Sequence, residues 1–179
     1  GARFSSLEGH TQSVNCMHSL GGDRLLTGSG DCTVRVWDLV GHECLGEVRT
    51  HTYSVNCLTV CEGTLYTGSG DCSLHAVDLN TYDHLLTFSG HTSPVFCVKV
   101  LGSVLVSGSG DCSLRIWDAA TAQCLRELPG SPGHTDVMFA TGHMDWVNAV
   151  EISDGYIFSG SVDRTIRRWH LSSILADAQ

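Results

Sequence analysis

The sequence predicts an all-β protein built from four copies of one four-stranded antiparallel unit. A polar turn motif, Gly-Ser-Gly-Asp-Cys, occurs three times, and its aspartates Asp31, Asp71 and Asp111 follow one another at intervals of 40 residues. A fourth, altered copy places Asp163 52 residues further on. Four histidines recur in step with these aspartates, namely His10, His51, His91 and His143. A fixed period of this length indicates a repeat architecture.

Each repeat contains four short segments with β-strand character, shown here for the first repeat. An apolar run at 14–17 is followed by a second at 24–27, then by an alternating segment at 33–37 and a last one at 44–48. The glycines of the motif lie between the second and third segments, where we expect positive φ angles. Only residues 172–178 suggest a helical turn. Four short strands every 40 residues are typical of a β-propeller blade.

The third strand of each repeat carries the last part of the pattern. It ends in Trp37-Asp38 and Trp117-Asp118 in two repeats, with Val77-Asp78 and Trp169-His170 as variants. These repeats resemble the WD-repeat family over essentially the whole chain. The resemblance implies a β-propeller, or part of one, with WD-type blades at about 9–49, 50–89, 90–130 and 142–175.

Two segments lie outside the regular blades. Residues 131–142 are expected to form an inserted loop, although Gly133-His134-Thr135 resembles the start of another blade, so the scar of a missing blade is the alternative. Residues 1–8 align with a fourth strand, which implies that they complete the last blade. In that blade Arg168 stands where the others have Val36 or Ile116, which predicts a less buried strand.

Closure of the ring is left open by the sequence, because the family most often closes with seven blades. The chain can be a piece of a larger propeller, it can form a homodimer with eight blades, or its four blades can close alone. The absence of an initiator methionine favours the first arrangement.

The resemblance implies a hydrogen-bonded set in each blade, made of the loop histidine, the turn aspartate, a strand Ser or Thr and the tryptophan. Such groups are buried at low cost only when each finds a partner. The second set lacks the tryptophan, so we expect Asp71 to contribute less than Asp111. The members are His10, Thr27, Asp31, Trp37; His51, Thr67, Asp71; His91, Ser107, Asp111, Trp117; His143, Ser159, Asp163 and Trp169.

A constellation of Asp, His and Ser also suggests a nucleophilic triad. It occurs four times at equivalent positions, whereas an active site occurs once, so the sequence favours a structural role and predicts no catalytic residues. No spacing typical of a metal site or a phosphate loop is present, and we expect no metal and no cofactor.

The residues just after each loop histidine are the candidate partner-binding set, because in this family they surround the opening of the central channel. They include aromatic and amide side chains but no arginine or lysine. Receptors for phosphorylated motifs use arginine clusters, so we expect a neutral or basic peptide that is not phosphorylated. An alternative is that Phe96 and Trp146 only pack between blades. The set is Gln12, Ser13, Asn15, Tyr53, Ser54, Asn56, Ser93, Pro94, Phe96, Asp145, Trp146 and Asn148.

Composition narrows the class of partner and the compartment. Ten Lys and Arg against nineteen Asp and Glu give a net charge of −9, which argues against nucleic acid or an anionic membrane. The nine cysteines follow the repeat instead of forming pairs, as in Cys16, Cys57 and Cys97, which predicts free thiols in the cytoplasm or nucleus.

The predicted function is a protein-interaction scaffold or substrate-recruiting module that binds a protein or peptide on one face of the propeller. A structural subunit of a coat or cytoskeletal complex, binding through blade edges, is the main alternative. A propeller enzyme is a second alternative, and it would require a single cluster of titratable residues over the channel.

Overall fold

The structure is a computed structural model that describes residues 5–132 and 141–176 of the 179-residue chain. Nearly every regular segment in this part is a β-strand, and the strands form four antiparallel sheets. The all-β fold class predicted from the repeat is therefore confirmed.

The sheets follow one another along the chain, and neighbouring strands within each are joined by hairpins. The first three sheets have four strands each, and the fourth has three among the described residues. Sheet 1 contains β1 (Val14–Gly21), β2 (Arg24–Ser29), β3 (Val34–Asp38) and β4 (Glu43–Val48); sheet 2 contains β5 (Val55–Cys61), β6 (Thr64–Ser69), β7 (Leu74–Asp78) and β8 (His84–Phe88); sheet 3 contains β9 (Val95–Leu101), β10 (Val104–Ser109), β11 (Leu114–Asp118) and β12 (Cys124–Leu128); sheet 4 contains β13 (Val147–Ser153), β14 (Tyr156–Ser161) and β15 (Ile166–His170).

The core lies between consecutive sheets, because each strand alternates its side chains between the two faces of its sheet. Leu26 of sheet 1 and Leu65 of sheet 2 belong to one buried cluster. Tyr66, the next residue of β6, belongs with Trp117 to the cluster between sheets 2 and 3. Ile157 of sheet 4 is buried in a third cluster with residues of sheet 3. Sheets 2 and 3 are thus covered on both faces.

The turn between the second and third strands differs from the sequence expectation. The left-handed residue is not a glycine but the residue after the aspartate, with φ between 68° and 70° at Cys32, Cys72, Cys112 and Arg164. Gly28 is instead required because its position has no room for a side chain. A Cβ there would lie 2.6 Å from Cys16 Sγ and 2.7 Å from Val55 Cγ1. Glycine in these strands therefore permits close packing between sheets.

The two outermost sheet faces are open, although the residues on them match buried residues elsewhere. Val14, the first residue of β1, is 48% exposed, whereas its equivalents Val55 and Val147 are at most 1% exposed. At the other end Ile166, the first residue of β15, is 82% exposed, whereas its equivalent Leu74 is fully buried. We call these the first face (of sheet 1) and the last face (of sheet 4). The four sheets form an open arc.

Completion of the last blade by residues 1–8 is not seen in the described part of the chain. Residues 5–8 form no strand, and Ser5 Oγ lies 3.1 Å from His42 Nε2 of sheet 1. Arg168 is exposed, as expected for a less buried strand, and its guanidinium carbon lies 4.8 Å from the ring centre of Tyr156.

The predicted insertion at 131–142 falls mainly on residues 133–140, which lie outside the described residues. Its two ends are held together, because the Ser131 amide donates to the His143 carbonyl at 2.7 Å and the Gly142 amide donates to Ser131 Oγ at 3.3 Å. The predicted helical turn at 172–178 is a helix, α1 (Leu171–Ala176). In the described chain, no helix has the length and apolar character needed to cross a membrane.

Replacing Gly28 by Ala should lower the free energy of unfolding by about 1–3 kcal/mol, because the new Cβ overlaps a sulfur and a valine in a packed interface. Gly30→Ala, two residues away, is the matched control. Its Cβ would meet mainly the side chain of exposed Gln12, at 3.1 Å, and that side chain can move. Urea denaturation of both variants measures the difference, and equal losses would contradict this packing role.

Candidate functional site

A bonded histidine anchors the loop before the first strand of every sheet. Its Nδ1 lies 2.8–2.9 Å from the turn aspartate, and its Nε2 lies 2.7–2.8 Å from a Ser or Thr hydroxyl on the second strand. The structure therefore brings together the residues that the family resemblance implied. The four sets are His10 with Asp31 and Thr27, His51 with Asp71 and Thr67, His91 with Asp111 and Ser107, and His143 with Asp163 and Ser159.

In three sheets the same hydroxyl also contacts the tryptophan. The indole Nε1 of Trp37 donates to Thr27 Oγ1 at 2.7 Å, and Trp117 and Trp169 bond equivalent serines at 2.8 and 2.9 Å. The arrangement is satisfied when the indole donates to the hydroxyl, the hydroxyl donates to Nε2, and Nδ1–H donates to the carboxylate. Burial lowers the pKa of His51 and His143, which favours this neutral imidazole.

Each aspartate binds the backbone of its own turn as well as the histidine. Asp71 Oδ1 accepts from the amide and hydroxyl of Ser73, and its Oδ2 accepts from the Thr52 amide and from His51. Burial raises the pKa of Asp71, but these hydrogen bonds outweigh it and lower the value to about 2. The carboxylate is ionised at neutral pH and holds the loop to the turn.

Sheet 2 replaces the tryptophan with a column of histidines. Val77 takes the tryptophan position, and the ring of His75 lies 4.3 Å from that of His51 and 4.9 Å from that of His84. Burial, together with the neighbouring histidines, lowers the pKa of His75 to about 4. Because tryptophan contacts the hydroxyl and not the carboxylate in the other sheets, Asp71 keeps all its bonds. The expectation that Asp71 contributes less than Asp111 therefore loses its physical basis.

The loops after the histidines are docked onto the aspartate turns, and together they form what we call the top face. In sheet 1 the Gly30 amide donates to the Ser13 carbonyl at 2.8 Å, and Ser29 Oγ donates to the Gln12 carbonyl at 3.3 Å. The other three sheets repeat both bonds. Two of the candidate partner-binding residues in each loop thus have their backbone carbonyls bonded to the aspartate turn.

Sequence reasoning missed two groups of hydroxyl residues at the turns, although the same period marks them. The serine that ends each second strand makes the docking bond, and the Ser or Thr two residues after each aspartate donates its hydroxyl to that aspartate. They are Ser29, Ser69, Ser109 and Ser161, and Thr33, Ser73, Ser113 and Thr165.

The candidate partner-binding residues do not share one role. Asn15 and Asn56 donate from Nδ2 to the Val55 and Val95 carbonyls of the next sheet, at 3.0 Å in both cases, so their amides join sheets. Asn148 at the equivalent position is exposed on the open side of sheet 4.

The aromatic members of the set lie at the surface. Tyr53 is 63% exposed and Trp146 is 52% exposed. The rings of Phe96 and Trp146 lie 5.4 Å apart across the junction of sheets 3 and 4. They do pack between blades, as the alternative interpretation held, yet half of Trp146 stays open to a partner.

The top face is acidic. The aspartate of every turn is on it, and Asp145 lies in the last loop. Burial raises the pKa of Cys112, and the negative charges of Asp145, Asp111 and Asp163 raise it further. Arg164 is the cation of the fourth turn, where the other sheets have cysteine.

Other parts of the described surface offer less chemistry. In residues 5–132 and 141–176, no three His, Cys, Asp or Glu side chains are placed to hold a metal ion. A cleft of about 600 Å³ lies between sheets 2 and 3 at the end opposite the top face. Its walls include Tyr66, Ala76 and Leu86, and this lining contains no cation.

Comparisons with known proteins agree with the repeat. The family model "WD domain, G-beta repeat" matches residues 1–38, 82–118 and 123–170. WD repeat-containing protein pop1 of Schizosaccharomyces pombe is 41% identical over 63 residues, which are 35% of this chain and 8% of that protein. The chain thus spans only a small part of this curated relative.

Solved structures of designed proteins are similar over nearly the whole chain. The computationally designed Ika4 protein has a TM-score of 0.79 at 26% identity, covering 96% of this chain and 99% of its own. The designed Ika8 protein has a TM-score of 0.77 at 26% identity, covering 92% of this chain and 48% of its own.

The carboxylate contacts predict that Asp71→Ala and Asp111→Ala will lower the free energy of unfolding by similar amounts, about 1–3 kcal/mol each. Both carboxylates accept bonds from a histidine, a loop amide and the turn residue two positions on. Chemical denaturation at pH 7 measures both losses. A loss at Asp71 less than half that at Asp111 would show that the missing tryptophan does weaken the second set.

Acidification should destabilise the protein through His75. Its pKa is about 4 in the folded chain and about 6.5 when unfolded, so the unfolded state binds the extra proton between these values. The stabilising effect of the neutral ring is present above pH 6.5 and is lost as the pH falls towards 4. His75→Gln should reduce the fall in unfolding free energy between pH 7 and 4.5, and an unchanged pH dependence would contradict this assignment.

Proposed function

Because this chain belongs to the WD-repeat family, we propose that it recruits or scaffolds other proteins by holding a peptide segment of its partner on the top face. WD40 repeats generally mediate protein–protein interaction and are typically not enzymes. The proposal adds to this general role a defined surface and a defined chemistry of the bound segment.

The observation that carries the proposal is a set of aromatic rings on rigid, docked loops. Tyr53 and Trp146 present large apolar surfaces to solvent, while the backbone of their loops is bonded to the aspartate turns. A partner that covers these rings gains apolar burial, and little of that gain is lost to ordering the loop. Tyr and Trp are also the residue types that most often dominate interface energies.

Charge supports a neutral or basic segment that carries no phosphate. The twelve candidate residues contain Asp145 and no arginine or lysine, and the turns on which their loops are docked carry aspartates whose pKa values are lowered, so that they are ionised at neutral pH. These carboxylates would repel a phosphate on the bound segment. Arg164, which follows Asp163 in the fourth turn, is the cation of these turns. A lysine or arginine of the partner would find a favourable field.

The same charge argues against nucleic acid or an anionic membrane as the main partner, since both attract basic surfaces. We further propose that the protein acts in a reducing compartment, the cytoplasm or nucleus. Its nine cysteines are free thiols, and burial raises the pKa of Cys16 and Cys97 to about 12, which keeps these thiols unreactive.

Trp146→Ala and Tyr53→Ala should each weaken capture of a top-face peptide by roughly thirtyfold, the loss of about 2 kcal/mol typical of an aromatic hot spot. The probe is a peptide selected from a displayed random library on the immobilised chain, with its affinity measured by titration calorimetry. The free energy of unfolding should change little, because both rings are largely exposed.

Leu45→Ala is the matched control, since Leu45 is similarly exposed but lies on the outer strand β4, away from the top face. Its affinity should equal that of the unaltered chain. If Leu45→Ala weakens capture and the two aromatic variants do not, partners bind the sides of the blades, and the structural-subunit function replaces this proposal. Phosphorylating the selected peptide should lower its affinity for the unaltered chain.

A further inference from the structure

We propose that the cleft between sheets 2 and 3 is a second protein-binding site, which takes one large apolar side chain of a partner's peptide together with a neighbouring lysine or arginine. The site lies at the end of the sheets opposite the top face, so a partner bound there leaves the top face free. The inference is independent of what the top face binds.

One position of the repeat opens this cleft. The residue after each third strand donates its amide to a carbonyl in the turn between the first and second strands, at 2.8–3.0 Å in all four sheets. The backbone is thus bonded in the same way at this position of every sheet, but the side chain differs. It is leucine in sheets 1, 2 and 4 and alanine in sheet 3, namely Leu39, Leu79, Leu171 and Ala119.

A second position removes an aromatic ring from the same junction. Between sheets 1 and 2 the ring of Tyr82 covers Gly46, where a Cβ would lie 2.5 Å from Tyr82 Cε2. Ala122 takes the place of Tyr82 in sheet 3, and both residues have a left-handed backbone, with φ of 59° and 63°. Both also donate their amide to the carbonyl of the aspartate that ends the third strand. The turn is therefore the same, but in sheet 3 it carries no ring.

These small side chains leave a space that the neighbouring junction does not have. The cleft between sheets 2 and 3 has a volume of about 600 Å³, and the equivalent cleft between sheets 1 and 2, whose lining includes Leu79, has about 220 Å³. Ala76 and Ala119 in the lining of the larger cleft are buried, so its deepest walls are apolar. A concave, mostly apolar surface with a few polar groups is typical of a binding site.

Charge separates the two clefts as well. The lining of the larger cleft includes the exposed Glu62 and no lysine or arginine, whereas that of the smaller cleft includes Arg24 and no carboxylate. Asp118 accepts a hydrogen bond from the amide of Ala120, which belongs to the lining of the larger cleft. Its backbone hydrogen bonds lower the pKa of Asp118, so this carboxylate is ionised at neutral pH. A cation of the ligand is therefore favoured beside its apolar side chain.

A segment of another protein is the occupant that fits these observations. Turns of both sheets contribute to the lining, at 62, 102–103 and 119–120, so a peptide reaches the cleft from solvent. The family to which this chain belongs generally mediates protein–protein interaction. A second copy of this chain is disfavoured, because it would bring a net charge of −9 towards carboxylates.

Selection of peptides by subtraction tests the proposal. A displayed random library is first passed over immobilised Ala119→Leu, which removes every peptide that binds elsewhere, and the remainder is selected on the unaltered chain. The selected peptides should share one large apolar residue next to a lysine or arginine. A remainder without binders, or binders whose apolar residue is accompanied by acidic residues, would overturn the proposal.

Titration calorimetry then measures the selected peptide on variants of the cleft. Ala119→Leu should weaken its binding roughly thirtyfold, because the new side chain occupies the space of the ligand. Ala119→Ser keeps the volume open and is the matched control, with affinity close to that of the unaltered chain. Urea denaturation should show that Ala119→Leu is as stable as the unaltered chain, since leucine occupies this position in the other three sheets. Equal losses of affinity in both variants would contradict binding in the cleft.

Reversal of charge tests the cation of the ligand. Glu62→Lys should weaken binding of the selected peptide about fivefold, as expected for an exposed ion pair. Exchanging the peptide's lysine or arginine for glutamate should restore affinity for this variant. Glu43→Lys, at an exposed carboxylate on β4 of sheet 1, is the matched control and should change nothing. An affinity that does not respond to Glu62→Lys would show that no cation lies beside this residue.

Two further measurements separate this site from the top face and from self-association. Trp146→Ala should leave the affinity of the selected peptide unchanged, and a loss in this variant would overturn the proposal by placing the peptide on the top face. Sedimentation equilibrium of the unaltered chain and of Ala119→Leu covers the remaining occupant. A dimer that dissociates on this substitution would overturn the proposal by showing that a second copy of the chain fills the cleft.

Discussion

The loop histidine, with both ring nitrogens bonded, is the interaction on which the rest of this structure depends. It joins three separate pieces of each repeat, namely the incoming loop, the second strand and the turn that carries the aspartate. The pieces are far apart in sequence, and an imidazole and a carboxylate are buried cheaply only when they satisfy one another. Once the histidine is bonded, the loop backbone has one position relative to the turn, and the top face is rigid.

A second constraint acts between repeats and shapes the arc. Small residues in the second strand let the inner strand of the next sheet approach closely, and an asparagine on the first and second inner strands bonds the next sheet's backbone. The close packing at the small residues and the asparagine hydrogen bond both form only where another sheet follows. At the two ends of the chain the same residues are present without their neighbours, which is why Val14 and Ile166 are exposed. The open faces follow from the packing rule of the interior.

The aromatic surface of the top face depends on both constraints. Trp146 contacts Phe96 only because sheets 3 and 4 lie side by side, and both rings are carried by loops that the histidines hold. In all four sheets a buried hydroxyl bonds the imidazole, and in three of them it also accepts from an indole. In the proposed function, binding is assigned to side chains that vary between repeats, such as Tyr53, Trp146 and Asp145.

The sequence by itself determined the repeat and the four short strands of each unit, because period and residue type are local properties of the chain. The members of the hydrogen-bonded sets followed from the family resemblance. The sequence could not show that Cys32 and not Gly30 takes the left-handed conformation, or that Asn15 bonds the next sheet instead of a partner. Those outcomes depend on the distance between sheets, which no single repeat contains. Whether the two end faces meet was also decided only in three dimensions, since closure depends on the rotation accumulated over all four sheets.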